Sequence, residues 1–381
     1  MYRILQNELS LAIIYFMRRL YSVLLIVPVL CIVFCKPCSA QLANGWKNPF
    51  DKDIWYKRYT GTIGGNPVVV NLALWDYFIT GDYSFNEKSD LAELGVNKKE
   101  ASTDGTLAIY GFAPDAKFAD TAGSKSRVTF KGDKIKGMWE SADHKKTAEI
   151  DLKESYPEGS YPFDLEITKD SILVNNNMSG LYSTFKMTVP GKKMKKQEGE
   201  WFEKALVQEL TGEKTDVTSI DDYIKMSNIK EFASYKKLTD DSMGSPKNYF
   251  LTMVAEPWYN NHGIVVIKVD YYVAIPTVST RESYYCFDMQ HRKTLHLRDI
   301  MNVDTTKLEA LLEPEMAEWY APTRPGYNGP FASISNDIYV SDFGVTFLFG
   351  NNDFMNTPCF FVPYTKLKGM LKPEFKSQMK L

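Results

Sequence analysis

Histidine is scarce in this 381-residue chain, with four copies, and cysteine is hardly commoner, with five. His144, His262, His291 and His296 form no His-Glu-x-x-His pair, and no Cys/His quartet exists for zinc. His291 and His296 are expected on opposite faces of a strand, unable to share an ion. No metal or other cofactor is indicated. A Gly-x-Ser-x-Gly elbow is also missing, which removes the usual cue for an α/β-hydrolase. Gly61-x-x-Gly64-Gly65 has no Lys-Ser/Thr after it and opens a strand, so it reads as a hairpin turn and not as a phosphate cradle. Neither sign of charge prevails: 45 basic against 47 acidic side chains give a net −2. Nucleic acid is therefore excluded as the main partner, because its binders carry basic stripes.

What is present is a globular composition, 44% hydrophobic and 14% aromatic. The length predicts two domains. Rings at this frequency suit half-buried pleated surfaces, so a β-rich chain is expected.

The first forty residues read as an address. Arg18 and Arg19 precede the uncharged apolar run Tyr21–Cys35, and Cys38-Ser39-Ala40 supplies a small-x-small site before Gln41. That order describes a secretory signal peptide over 1–40, with Met17 as the expected true start. The run is short for a membrane span of about 20 residues. The product is thus expected to be exported, periplasmic or extracellular after cleavage at Ala40. Membrane contact is expected only through this segment, if it is retained as an anchor. A lipoprotein is disfavoured, since Leu30, Phe34 and Pro37 are large or rigid ahead of Cys31, Cys35 and Cys38. After cleavage only Cys286 and Cys359 remain, which permits one disulfide or two buried thiols.

Residues 41–155 read as an all-β domain: an antiparallel meander forming a sandwich or small barrel. Short strands are expected at Tyr59–Ile63, Val68–Trp75, Phe78–Phe85, Leu107–Phe112, Arg127–Lys131, Lys134–Glu140 and Thr147–Leu152. Val68, Val70, Leu72 and Leu74 share one face. Gly64-Gly65-Asn66-Pro67 and Gly132-Asp133 are turn signals. A linker-like stretch from Tyr156 to Pro162 leads into residues 160–381, which read as an α+β domain with an antiparallel sheet and about three helices. The helices are expected at Gly199–Leu210, Ser219–Leu238 and Asp304–Tyr320. Gly212 is the stop of the first, Ser219 with Asp222 a capping box for the second, and Pro314 a kink in the third. Lys192, Lys193, Lys195 and Lys196 make a basic loop.

Phe287-Asp288, then Lys293, Leu295, Leu297 and Asp299-Ile300, then a helix, then Phe343-Gly344-Val345-x-Phe347-x-Phe349, then Val362-Pro363-Tyr364-x-x-Leu367 form a pattern. Over about 245–372 this resembles a domain of unknown function found in RsiV-type anti-sigma factors, which sense lysozyme, and beside some peptidoglycan deacetylases. The resemblance implies an extracytoplasmic α+β module, usually non-catalytic, that binds something at the envelope. The family's Gly-Gly-Ala-His-like turn is replaced here by Ala274–Thr280, so lysozyme binding does not carry over.

Ser227-x-x-Lys230 and Ser234-x-x-Lys237 lack the companion motifs of penicillin-recognising enzymes. Carboxylates are abundant, Asp221-Asp222, Asp240-Asp241, Glu313, Glu315 and Glu318 among them, and a glycosidase needs two that face each other across a sugar, which adjacent Asp221 and Asp222 on a helix do not. The expected contact surface is aromatic: Trp258, Tyr259 and His262 in one loop, and Trp319, Tyr320, Arg324 and Tyr327 in another. Rigid rings lose little entropy on stacking against a sugar or protein. The sequence thus favours a non-enzymatic, envelope-associated protein recognising a glycan, peptide or protein partner. The alternatives are a glycan- or peptidoglycan-active hydrolase with an unrecognised carboxylate pair, and a structural envelope component.

Overall fold

In a computed structural model, the residues described are 54–75, 78–84, 92–97, 106–109, 125–174, 179–212, 216–240, 248–275, 277–320, 338–348 and 359–381. All belong to the larger of two compact units, Lys47–Leu381. The leader and the start at Met17 lie outside them.

Eight strands follow one another in the first sheet: β1 (Ile54–Ile63), β2 (Asn66–Trp75), β3 (Phe78–Ser84), β4 (Ala92–Asn97), β5 (Thr106–Ile109), β6 (Lys125–Lys131), β7 (Lys134–Glu140) and β8 (Thr147–Glu154). Their spatial order is β4-β3-β2-β1-β8-β7-β6-β5, all pairs antiparallel. This is an up-and-down meander curled into a half-barrel, whose edge strands β4 and β5 approach each other without pairing. Period-2 patterning builds its interior. Val68, Val70, Leu72 and Leu74 of β2 meet Tyr59 and Ile63 of β1, Phe130 of β6 and Ile150 of β8 in one core. Full burial of each aliphatic side chain is worth about 1.5–3 kcal/mol. Gly64 and Gly65 (φ 59° and 81°) form the two-residue turn, with Ile63 opposite Asn66, so Pro67 sits in β2 and not in the turn. Curling brings neighbouring backbones close: a Cβ on Gly137 would lie 2.1 Å from the Arg127 carbonyl oxygen.

The second sheet comprises β9 (Phe163–Val174), β10 (Ser179–Pro190), β11 (Asn248–Asn261), β12 (Ile264–Ile275), β13 (Thr277–Asp288) and β14 (Lys293–Leu295), in the order β14-β13-β12-β11-β10-β9. It is not wholly antiparallel, because β10 and β11 run parallel. Such a pair needs a crossover, and α1 (Lys196–Thr211) with α2 (Ile220–Asp240) provide it. Phe202, Ala205 and Leu206 turn one side of α1 onto the sheet, and Gly212 closes it at φ 67°. The Ser219 hydroxyl accepts from the Asp222 backbone N–H at 3.2 Å and donates to the Asp222 carboxylate at 2.9 Å, starting α2 as expected.

The opposite face carries α3 (Leu297–Ile300), α4 (Thr305–Tyr320), α5 (Tyr364–Leu367), α6 (Pro373–Met379) and a three-stranded sheet of β15 (Ile338–Val340), β16 (Gly344–Leu348) and β17 (Cys359–Pro363). Of the six helices among the described residues, α3, α5 and α6 are short and go beyond those the sequence predicts. α4 runs on through Pro314. β8 ends at Glu154 and β9 begins at Phe163, on either side of the expected domain division. The outward faces of β1 and β2 are nonetheless buried too, since Tyr56, Ala73 and Trp75 join the core beneath α1 and α2.

Candidate functional site

Of the expected aromatic loop at residues 256–263, Glu256 to Asn261 are strand and only His262 and Gly263 form a turn. β11 continues through Pro257 by shifting register between Pro257 and Tyr259, a bulge that absorbs the residue unable to donate to the ladder. Trp258 and Tyr259 are therefore core residues, 4% and 1% exposed, not a contact surface. The Lys268 ammonium lies 4.8 Å from the Trp258 ring centroid, and Tyr284 and Tyr339 pack edge-on against that ring. Trp319 and Tyr320 end α4, while Arg324 and Tyr327 lie outside the described residues. Likewise, His291 and His296 share no strand: His291 sits in the turn after β13, and His296 caps α3.

His262 alone of the first group reaches a surface concavity. With Gly263 it forms the two-residue β11–β12 turn, at φ 55° and 78°. That turn borders a groove of about 950 Å³ assembled from segments far apart in the chain. The Tyr156–Pro162 stretch forms one wall. Lys193 and Lys195 ahead of α1, Gln290 and His291 after β13, and Glu374 and Gln378 of α6 form the others. At its base the Gly263 N–H donates to the Gly159 carbonyl at 2.7 Å. A Cβ on Gly159 would sit 2.8 Å from the Gly263 nitrogen, so only glycine permits this closure.

Polar groups in the groove are oriented by their surroundings. Asp288, 4% exposed, accepts from the His291 backbone N–H at 2.9 Å and lies 2.7 Å from its Nδ1, which fixes the imidazole. Burial, reinforced by Glu198 and Asp288, pushes the Tyr161 hydroxyl up to about 12, so it stays a donor at neutral pH. Glu198 pairs with Lys195 at 3.3 Å. The Gln378 amide nitrogen is buried beside Gly263 and has no hydrogen-bond partner among the described residues. An unpaired buried donor costs about 1–3 kcal/mol. Neither His262 nor His291 is hydrogen-bonded to a hydroxyl or thiol among the described residues. Of the carboxylates on the rim, Glu158 and Glu374 are exposed.

Behind His262 lies a buried polar seam between the two large sheets. Asp342 lies 3.4 Å from the His262 Nε2 and accepts from the Tyr259 hydroxyl at 2.8 Å, the Asn261 amide at 3.0 Å and the Ser84 hydroxyl at 3.3 Å. Burial alone would raise its carboxyl, yet the bonds from His262, Tyr259 and Asn261 hold it below the ordinary carboxylate value. Arg58, 1% exposed, donates from Nε to the Asn260 carbonyl at 2.8 Å and from Nη1 to the Ser155 carbonyl at 2.9 Å. Trp75 and Thr80 both donate to Glu256, at 3.0 and 2.6 Å.

Cys286 and Cys359 are not bonded to each other. Cys286 points inward from β13 and contacts the Ile338 carbonyl at 3.4 Å, whereas Cys359 is on the exposed face of β17. Burial pushes the Cys286 thiol up to about 12. Iodoacetamide applied to the native protein at pH 8 should therefore alkylate Cys359 at least a hundredfold faster than Cys286, read by peptide mass spectrometry. Equal rates, or a mass loss of two hydrogens linking the two peptides, would contradict this arrangement.

No protein family matches the sequence, and no curated protein does. Among solved structures the chain is similar to a DUF3298 family member from Bacteroides fragilis NCTC 9343, at 16% identity and a TM-score of 0.46. That likeness covers 58% of this chain and 98% of the other. A DUF3298 family protein from Pseudomonas aeruginosa PAO1 is similar at 14% identity and a TM-score of 0.36, over 56% of this chain and 96% of that one.

Proposed function

We propose that the protein is exported and acts without catalysis, holding a polar glycan or peptide at the cell envelope in the groove beside His262. The convergence of polar groups from five separate chain segments on that groove carries this reading. Tyr161, His291, Gln290 and two lysines offer a mixture of donors and acceptors that suits hydroxyls and peptide groups better than an apolar body. The leader at 1–40 and the resemblance to RsiV-type factors support the location. Paired carboxylates for hydrolysis find less support, because Glu198 is engaged by Lys195 and the other two rim glutamates are solvated.

Calorimetric titration of the purified chain with soluble peptidoglycan fragments and with their free stem peptides tests this. One of the two should bind, and His291→Ala and Gln290→Ala should each weaken it at least fivefold, about 1 kcal/mol. Absence of binding to both at millimolar concentration, or release of cleaved product by mass spectrometry, would overturn the reading.

A further inference from the structure

A second concavity lies under α2, beside the C-terminal end of α1, whereas the groove borders the N-terminal end of that helix. Its floor is a row across four strands: Phe185 of β10 is registered with Met253 of β11, Met253 with Tyr271 of β12, and Tyr271 with Arg281 of β13. These side chains share the helix-facing side of the sheet, because paired residues project to one face. The roof is the stripe Tyr223, Met226, Ser227, Lys230 and Glu231 of α2, at positions i, i+3, i+4, i+7 and i+8. A helix lying flat on a sheet would be apolar at all five. Here the stripe turns polar after Met226, and a cavity of about 450 Å³ remains between helix and sheet. That volume falls within the roughly 300–1,000 Å³ of small-molecule sites.

The two ends of the cavity differ. Phe185, Leu251, Met253 and Val269 give a buried apolar interior, and methionine adapts to ligands of irregular shape. Lys230 and Arg281 are exposed on its lining, and neither is within ion-pair distance of a carboxylate among the described residues. Glu231 is the one acid on the lining, so the balance of the three charges is one positive. It follows Lys230 directly on the helix, so the two side chains diverge by about 100° and do not neutralise each other. The Tyr223 hydroxyl already donates to the Met253 sulfur at 3.7 Å, while burial, reinforced by Glu231, raises the Tyr271 hydroxyl above its ordinary value, which leaves one further donor and no added negative charge.

We infer that this cavity binds an amphipathic organic anion, with its apolar body between α2 and the Phe185–Met253–Tyr271 row and its acidic head between Lys230 and Arg281. An apolar interior supplies affinity in proportion to the surface it dries, and the guanidinium provides a fork suited to a carboxylate or phosphate.

The test is calorimetric titration of the full chain with decanoate, decyl phosphate and decyltrimethylammonium, each below its micelle concentration. At least one of the two anions should bind, and the cation at least tenfold more weakly. Whichever anion binds better identifies the head group. Lys230→Ala with Arg281→Ala should weaken the anion at least tenfold while leaving the circular dichroism unchanged, because both side chains are exposed. Ser283→Trp, which fills the space from the floor, should abolish binding. Absence of binding to both anions, equal binding of anion and cation, or anion binding untouched by the double variant would overturn the assignment. None of these results bears on the groove beside His262.

Discussion

Replacing Arg58 with alanine should cost the protein about 3–5 kcal/mol, the sum of two buried carbonyls left without a donor and the cavity that the side chain vacates. The residue is 1% exposed; its guanidinium joins the half-barrel to the second sheet through the Asn260 carbonyl and holds the chain leaving β8 through that of Ser155. Its loss strips two charge-assisted donors from the seam, opens a cavity the size of its stem and removes a favourable positive charge from the neighbourhood of Asp342. Arg58→Lys should recover part of this, since an ammonium can reach one carbonyl but lacks the fork that spans both. With a urea m-value of about 3 kcal/mol/M, the alanine variant should unfold at least 1 M earlier than the parent. A midpoint within about 0.3 M of the parent would show that water replaces the guanidinium and that the seam is not a tie.

The second large effect is acid sensitivity through Asp342. Its folded carboxyl lies below the ordinary value of about 3.9, so ionisation favours the folded state. That contribution is fully present above about pH 5, well clear of the unfolded value, and is lost as pH falls through the lower, folded value. Stability should therefore decline from pH 5 toward pH 2. Asp342→Asn should be about 2–3 kcal/mol less stable than the parent at pH 7, because the bonds from Tyr259, Asn261 and His262 lose their charge assistance. It should also show a shallower acid limb in urea titrations at fixed pH. Parallel curves for the two proteins between pH 5 and pH 2 would mean that other carboxylates govern the acid limb.

Much of the architecture was legible because it rests on short-range signals. The alternation in Val68–Leu74 placed β2's inner face, and Gly64-Gly65, Gly132-Asp133 and Gly212 marked two hairpins and a helix end. Local cues failed where burial was set by distant partners. Pro257, Asn260 and Asn261 around Trp258 and Tyr259 look like loop chemistry. The bulge and the seam, which buries Asn260 against Tyr56 and Tyr161, make the same residues strand. α6 was missed because its seven residues, opened by Pro373, carry only Phe375 and Met379 as an inner face. Ala92–Asn97 pairs as β4 although Glu93 and Gly95 are poor strand formers. The groove could not be read at all. Its walls come from residues as far apart as Tyr156 and Lys380, and no local pattern encodes their meeting. Lys193 and Lys195 were visible as a basic loop, and His291 as a histidine, but their shared setting was not.

The parallel pairing of β10 with β11 also dictates an order of assembly. The half-barrel joins only consecutive strands, apart from the single β1–β8 closure, so it can zip up from neighbours. β11 cannot dock beside β10 until the intervening pair of helices has collapsed, which makes that contact costly in loop entropy and late. A chain halted before Asn248 would thus keep β10's unmatched edge open to any other extended polypeptide, and edge capture is the misfolding hazard built into this topology.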